Sequence, residues 1–240
     1  MKLTGDAFDL TLLSNFLHQI INPLNGVCGT LDNITEKQVP EGSVPQRLRA
    51  ARAQLEHCVS LVRNLAFFSE FTTDPKGYRE RHSGKISVIP RVILEAAMFF
   101  QETARKKKMQ IHLVDSNTQF KVPADPDLLR QVFMNLFDNC VKYGEPNTDI
   151  LVKHHIQRKS NDLIIEVVGT SKAPPKELRE KIFELGVRGE NARQIVASGT
   201  GLGLYICRAI VSVYEGAIEY KARPAANEST FTIRLPGGYV

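Results

Sequence analysis

Between about Phe8 and Glu36, apolar side chains fall at Leu13, Leu17, Ile20, Leu24, Val27, Leu31 and Ile34, an alternating four-three spacing that describes a helix carrying a bundle seam. Val39-Pro-Glu-Gly-Ser-Val-Pro45 then breaks the chain, and a second periodic stretch runs through Leu48, Ala51, Leu55, Cys58, Val62 and Leu65 toward Phe71. Two long helices joined by a short turn pack antiparallel. One hairpin leaves its seam half exposed, so a symmetric dimer forming a four-helix bundle is the economical solution.

The pattern changes after Thr72-Thr-Asp-Pro-Lys-Gly77, and the residues from there to Gly84 read as a polar linker. Expected beyond it are strands at 86–89, 110–114, 150–155, 163–168, 217–221 and 230–235, and helices at 90–107, 127–143, 175–183 and 202–214. That order predicts an α+β sandwich, one face of a sheet covered by helices. The division expected is therefore 1–76 for the hairpin, 77–84 for a linker and 85–240 for the second domain.

Composition excludes several classes. With 42% hydrophobic and 24% charged residues in 240, the chain is an ordinary globular one. No apolar run approaches the roughly 18 residues of a membrane span, and the first residues lack a signal-peptide pattern, so a cytoplasmic location is expected. Cys28, Cys58, Cys140 and Cys207 show no CxxC spacing and are read as reduced, buried thiols. The net charge of +5 is mild; Arg105-Lys-Lys-Lys108 reads as a solvated helix end, with no nucleic-acid partner implied. Adjacent His154 and His155 fall on opposite faces of a strand and do not share a metal.

On the first helix, a seam through Leu17 and Ile20 sets His18 and Asn22 one turn apart on the solvent side. An imidazole half-protonated near neutrality is a competent nucleophile for a phosphoryl group. A lone histidine is ordinarily inert, however, and His57, His82 and His112 are read as such surface residues. Pro23, inside the same helix, removes a backbone hydrogen bond at a cost of roughly 3 kcal/mol, a breach that marks function. In the second domain Asn135, Asn139 and Lys142 recur at helical spacing opposite Val132, Leu136 and Cys140; amide oxygens suit Mg²⁺ and a lysine suits phosphates. Gly199-Thr200-Gly201-Leu202-Gly203 opens a helix whose bare amides can hold phosphate.

Together these segments resemble the transmitter core of the sensor histidine kinases, over essentially the whole chain. His18-Gln19-Ile-Ile-Asn22-Pro23-Leu24 is similar to the H box; Asn135-Leu-Phe-Asp-Asn139-Cys-Val-Lys142-Tyr143 to the N box; and Gly199 to Gly203, before Cys207-Arg-Ala-Ile-Val211, to the second glycine motif. The resemblance implies a dimerisation and phosphoacceptor hairpin followed by a GHKL-type (Bergerat) ATP-binding domain. It implies autophosphorylation of His18 from ATP with Mg²⁺ held by Asn135 and Asn139, Gln19 orienting the imidazole, and Asn22 positioning the water of a phosphatase step. Lys142, Arg188 and residues 199–203 would contact phosphates, and Tyr143 would pack on adenine. The implied partners are a second copy, a receiver-domain aspartate of a response regulator recognised around Asn25, Thr30 and Asn33, and an upstream sensor.

One family element departs. Where an Asp-x-Gly-x-Gly motif follows the strand 164–168, this chain reads Gly169-Thr170-Ser171-Lys172-Ala173-Pro174-Pro175. The family's carboxylate accepts the adenine amino group, and its loss removes a charged hydrogen bond of roughly 1.5–3 kcal/mol. The runner-up function is therefore an ATP-independent dimeric histidine phosphotransferase, or a pseudokinase scaffold, on the same fold.

Overall fold

The computed structural model describes residues 10–187 and 201–240. Helix α1 (Leu10–Thr35) runs through Pro23 without ending, and α2 (Val44–Thr73) returns beside it after a short 3₁₀ turn at Glu41–Ser43. The heptad splits in two. On α1, Ile20, Val27 and Ile34 are wholly or partly buried; Ala51 and Cys58 are buried on α2, with Leu65 half-buried. A second set at the same seven-residue spacing, Leu17, Leu24 and Leu31 on α1 and Leu48, Leu55 and Val62 on α2, lies exposed. Phe16, outside the expected stripe, is 1% exposed and joins the main core.

The stretch expected to be a polar linker holds a short helix, α3 (Pro75–Arg81). Asp74 caps it by accepting from Gly77 N at 2.8 Å, and Pro75 occupies its first position. Tyr78 is buried, edge-on to Phe67 at 5.2 Å, so an aromatic anchor rather than flexibility joins the hairpin to the second unit.

A short antiparallel pair, β1 (Ser87–Val88) with β3 (Lys121–Val122), closes one end of the second unit. The main sheet comprises β2 (Ile111–Leu113), β4 (Ile150–Gln157), β5 (Asp162–Thr170), β6 (Ala217–Arg223) and β7 (Glu228–Leu235), in the order β2-β4-β5-β7-β6. Among the described strands of this sheet, β2 pairs parallel with β4, and the remaining pairs are antiparallel. Alternate residues Ile150 and Val152 on β4, Leu163, Ile165 and Val167 on β5, and Phe231, Ile233 and Leu235 on β7 are buried. Across that face pack α4 (Ile89–Lys106), α5 (Pro126–Tyr143) and α6 (Gly203–Val213), the layering expected from the element order.

Helix α5 is central. Ten of its eighteen residues are buried, among them Phe133 and Phe137, each contributing roughly 1.5–3 kcal/mol on leaving water. Its first turn is capped by Asp125, which accepts from Asp127 N at 2.9 Å, and its last by Lys107, whose ammonium donates to Val141 O and Lys142 O at 2.7 and 2.8 Å. One lysine of the basic run therefore terminates α5, while Arg105, Lys106 and Lys108 are exposed.

Three expectations are corrected. Residues 175–183 form no continuous helix but two 3₁₀ turns, Lys176–Leu178 and Lys181–Phe183, twisted so that Phe183 buries beside α6 under the Arg208 guanidinium. Cys28 is exposed, whereas Cys58 and Cys207 are buried and Cys140 partly so. His82 is no idle surface residue, because its Nδ1 lies 2.7 Å from the buried Asp125 Oδ2.

Candidate functional site

A cleft lies between the hairpin and the second unit, with about 1460 Å³ of empty space that includes the open solvent at its mouth. Its floor is the polar side of α5: Asn135, Asp138, Asn139, Lys142 and Tyr143. Gly201 and Gly203 border one end; Gly144, Gly169, Thr170 and Ser171 border the other. From Asn135 to Tyr143 the helix rises about 12 Å along this floor.

The wall facing α5 comes from the hairpin. Gln19 of α1 and His57, Ser60, Leu61 and Asn64 of α2 line the cleft. His18 and Asn22 are exposed on the neighbouring side of α1, as the seam argument requires. His57, expected to be inert, is half-buried here; burial pushes its pKa down, opposed by the Asp138 charge and reinforced by Lys142.

Each expected α5 residue has a specific engagement. Asn135 is buried, and its amide is held by Asn64: Asn64 Nδ2 donates to Asn135 Oδ1 at 2.9 Å, and Asn135 Nδ2 donates to Asn64 Oδ1 at 3.1 Å and to Gly203 O at 3.2 Å. Gln131 Nε2 extends the cluster to Ser60 Oγ at 3.0 Å and Asn64 Oδ1 at 2.9 Å. Asn139 donates from Nδ2 to Asn135 O at 2.8 Å, which leaves its Oδ1 without a hydrogen bond among the described residues. Lys142 is paired with Asp138 at 2.6 Å. Tyr143 lines the cleft beside Cys140, whose thiol is pushed up to about 12 by burial and then by Asp138, and so stays protonated.

At the glycine end, Gly201 has φ +67° and Gly186 φ +73°. A Cβ on Gly201 would meet the Gly186 carbonyl carbon at 2.8 Å, so glycine is required where these two backbones cross. Arg188, Gly199 and Thr200 lie outside the described residues. Gly203 begins α6 and lines the cleft beside Asn135.

For Mg²⁺ the donor chemistry fits in part. Asn139 Oδ1 offers a hard oxygen, but both lone pairs of the Asn135 oxygen are engaged, by Asn64 at 2.9 Å and by Gln131 at 3.4 Å, so its use as a ligand requires one of those bonds to break. Among the described residues no cluster of three or more His, Cys, Asp or Glu could hold a metal ion by itself. Sequence reasoning missed Ser60 and Asn64, although with His57 they form a polar stripe at three- and four-residue spacing on an otherwise apolar face, a readable sign of a partner surface. It also missed Ser229 and Tyr220, which reach the cleft from strands with no motif of their own.

Known proteins share this architecture. The model of the histidine kinase-, DNA gyrase B-, and HSP90-like ATPase family matches residues 124–238. The sensor histidine kinase RcsC of Escherichia coli (strain K12) is 25% identical over 224 residues, 93% of this chain, and the sensor protein VanS of Enterococcus faecium is 28% identical over 220 residues, 91% of this chain. The chain spans 23% of the length of the former and 55% of the latter. The solved catalytic domain of histidine kinase ThkA matches with a TM-score of 0.55 and 27% identity over 63% of this chain and 94% of that one. Acinetobacter baumannii histidine kinase AdeS, at 19% identity and a TM-score of 0.56, shares the fold over 91% of this chain and 97% of its own. No described helix is long and apolar enough to cross a membrane. Residues 124–238 therefore belong to the histidine kinase-, DNA gyrase B- and HSP90-like ATPase family, and with the helical hairpin before them the chain is built as a histidine kinase transmitter core.

Proposed function

We propose that this chain is a protein histidine kinase core of a two-component system, transferring the γ-phosphoryl group of ATP to His18 and from there to a response-regulator aspartate. The observation that carries the reading is the shared cleft: Gln19, next to His18, lines the same cavity as Asn139, Tyr143 and Gly203. A nucleotide along α5 thus ends close to the phosphoacceptor helix.

In this reading Gly203 and the amides opening α6 bind phosphate, Asn139 Oδ1 offers a ligand to Mg²⁺, and Tyr143 packs against the base. The metal, when bound, neutralises phosphate charge during transfer. Gln19 orients the His18 imidazole, and exposure leaves that ring accessible first to the cleft and then to a receiver domain. Asn22, one turn on, holds the water that returns the regulator to its unphosphorylated form. Histidine kinase ThkA has been solved in complex with the response regulator TrrA, a partner of the kind proposed here.

The exposed rows Leu17–Leu24–Leu31 and Leu48–Leu55–Val62 support a homodimer, because a second hairpin covers both. An upstream sensor and a cytoplasmic setting belong to the same proposal. Incubation with γ-labelled ATP and Mg²⁺ tests it: acid-labile label should appear on the wild type and be absent from His18→Ala and Asn139→Ala. Label that persists in His18→Ala rejects the assigned acceptor, and no label combined with phosphate uptake from a phosphorylated receiver domain makes the chain a phosphotransferase.

A further inference from the structure

Opposite its glycine end, the cleft is finished by hydroxyl groups. Ser171 Oγ and Ser229 Oγ lie 2.8 Å apart, and Ser229 Oγ and Tyr220 OH also 2.8 Å. Ser229 is 5% exposed and stands opposite Gly169 in the β5–β7 pairing, so the chain of hydroxyls is built into the sheet rather than draped on a loop. All three residues line the cleft, together with Thr170 and the exposed Lys172. Asp138 is the one carboxylate among the described lining residues, and Lys142 occupies it at 2.6 Å.

A hydroxyl donates one hydrogen bond and accepts others, and its hydrogen rotates. Three hydroxyls in series use two hydrogens internally and leave one to spare. Run in one direction, the series ends on a donor at Tyr220; reversed, it ends on a donor at Ser171. Either end can therefore present an acceptor to an amino group or a donor to a carbonyl. A fixed carboxylate does only the first, and Lys172 only the second. Discrimination between bases rests on leaving a buried group unpaired by the wrong one, and this series leaves none unpaired.

Resting on the nucleotide reading above, we propose that the base end of this cleft does not select adenine: it takes 6-oxopurine nucleotides, of which GTP is the representative, as readily as ATP, with Ser171, Ser229 and Tyr220 as the specificity-determining residues. The position that would reverse this is open. A Cβ built on Gly169 meets nothing closer than Cys140 Sγ and Ile150 Cγ1, both at 4.0 Å, so a side chain can begin there without displacing backbone.

The test is calorimetric titration of the wild type and of Gly169→Asp with non-hydrolysable ATP and GTP analogues in Mg²⁺. Wild-type dissociation constants for the two within about threefold, with Gly169→Asp favouring the ATP analogue by about tenfold or more, are the expected result. A wild type that prefers the ATP analogue by more than about tenfold overturns the inference and leaves the nucleotide reading standing. Absence of binding by both analogues at millimolar concentration overturns the nucleotide reading, and this inference with it.

Discussion

Asn64 and Asn135, seventy-one positions apart, exchange a pair of amide hydrogen bonds at 2.9 and 3.1 Å across the boundary between the hairpin and the nucleotide-type domain. Both side chains are buried, at 4% and 5% exposure. The bond occupies the oxygen that a metal-bound nucleotide would need, so hairpin docking and nucleotide binding draw on one group. Replacing Asn64 with Leu removes its three amide hydrogen bonds to Asn135 and Gln131, which keep only Gly203 O and Ser60 Oγ as their other close partners, and should lower stability by about 1–3 kcal/mol in urea titration. The same variant should bind Mg²⁺-nucleotide about fivefold more tightly, since a bond of about 1 kcal/mol no longer has to break. Unchanged affinity would separate the two events.

Asp125 is a second junction. Its carboxylate is 1% exposed, accepts from Lys85 Nζ at 2.7 Å and from the capped Asp127 amide, and lies 2.7 Å from His82 Nδ1; its own amide donates to Tyr214 OH. Burial works against the charge, but the bonds from Lys85, His82 and the Asp127 amide outweigh it and hold the group below the usual carboxylate range. A depressed carboxylate contributes stability that is present above its unfolded value near 4 and is lost as pH falls through the folded value. Asp125→Ala should cost about 1–2 kcal/mol at neutral pH from the lost cap, and its stability should vary less below pH 4 than that of the wild type.

His154 carries both ring nitrogens buried without a hydrogen-bond partner among the described residues, edge-on to Phe120 at 4.7 Å. Burial pushes its pKa down, with Asp115 opposing. The unfolded chain therefore binds the proton more readily, so stability is full above about pH 6.5 and falls as pH drops below it. Denaturant midpoints between pH 7.5 and 5.5 should decline in the wild type and decline less in His154→Leu. His57, shifted the same way, accounts for part of what remains.

Charge placed on the exposed rows should dissolve the proposed dimer. Leu24→Arg with Leu55→Arg leaves the buried Val27, Ala51 and Cys58 seam untouched, so helicity should be retained while sedimentation shows a monomer. A dimer surviving in this variant would reject those rows as the interface.

The sequence was most readable where one element explains itself. The seven-residue repeats predicted α1 and α2 to within a few residues, and Asn135, Asn139 and Lys142, set at helical spacing in the sequence, lie together along the cleft. What it hid were relationships between elements. Nothing local links Asn64 to Asn135, or Ser171 to Ser229 fifty-eight residues later. Residues 175–183 have helix-forming composition, but burial of Phe183 against α6 favours two tighter turns over one helix. The two-residue strand β3 is too short to show any period. Helix α3 was announced by Asp74-Pro75, a cap followed by a first-turn proline, and masked by the polarity of the residues after it.

The apolar strip on the hairpin is wider than one seam. Ile21 and Val59, each four residues beyond a seam position, are exposed beside Leu17 and Leu55. A helix seated on a seven-residue repeat changes register only in whole heptads, about 10 Å of sliding. Turning about its own axis by some 40° is far easier, because that carries it from Leu17 toward Ile21 while keeping apolar contact throughout. Motion along such a hairpin is therefore naturally torsional, and Gln19, between those two residues and facing the cleft, swings whenever the helix turns.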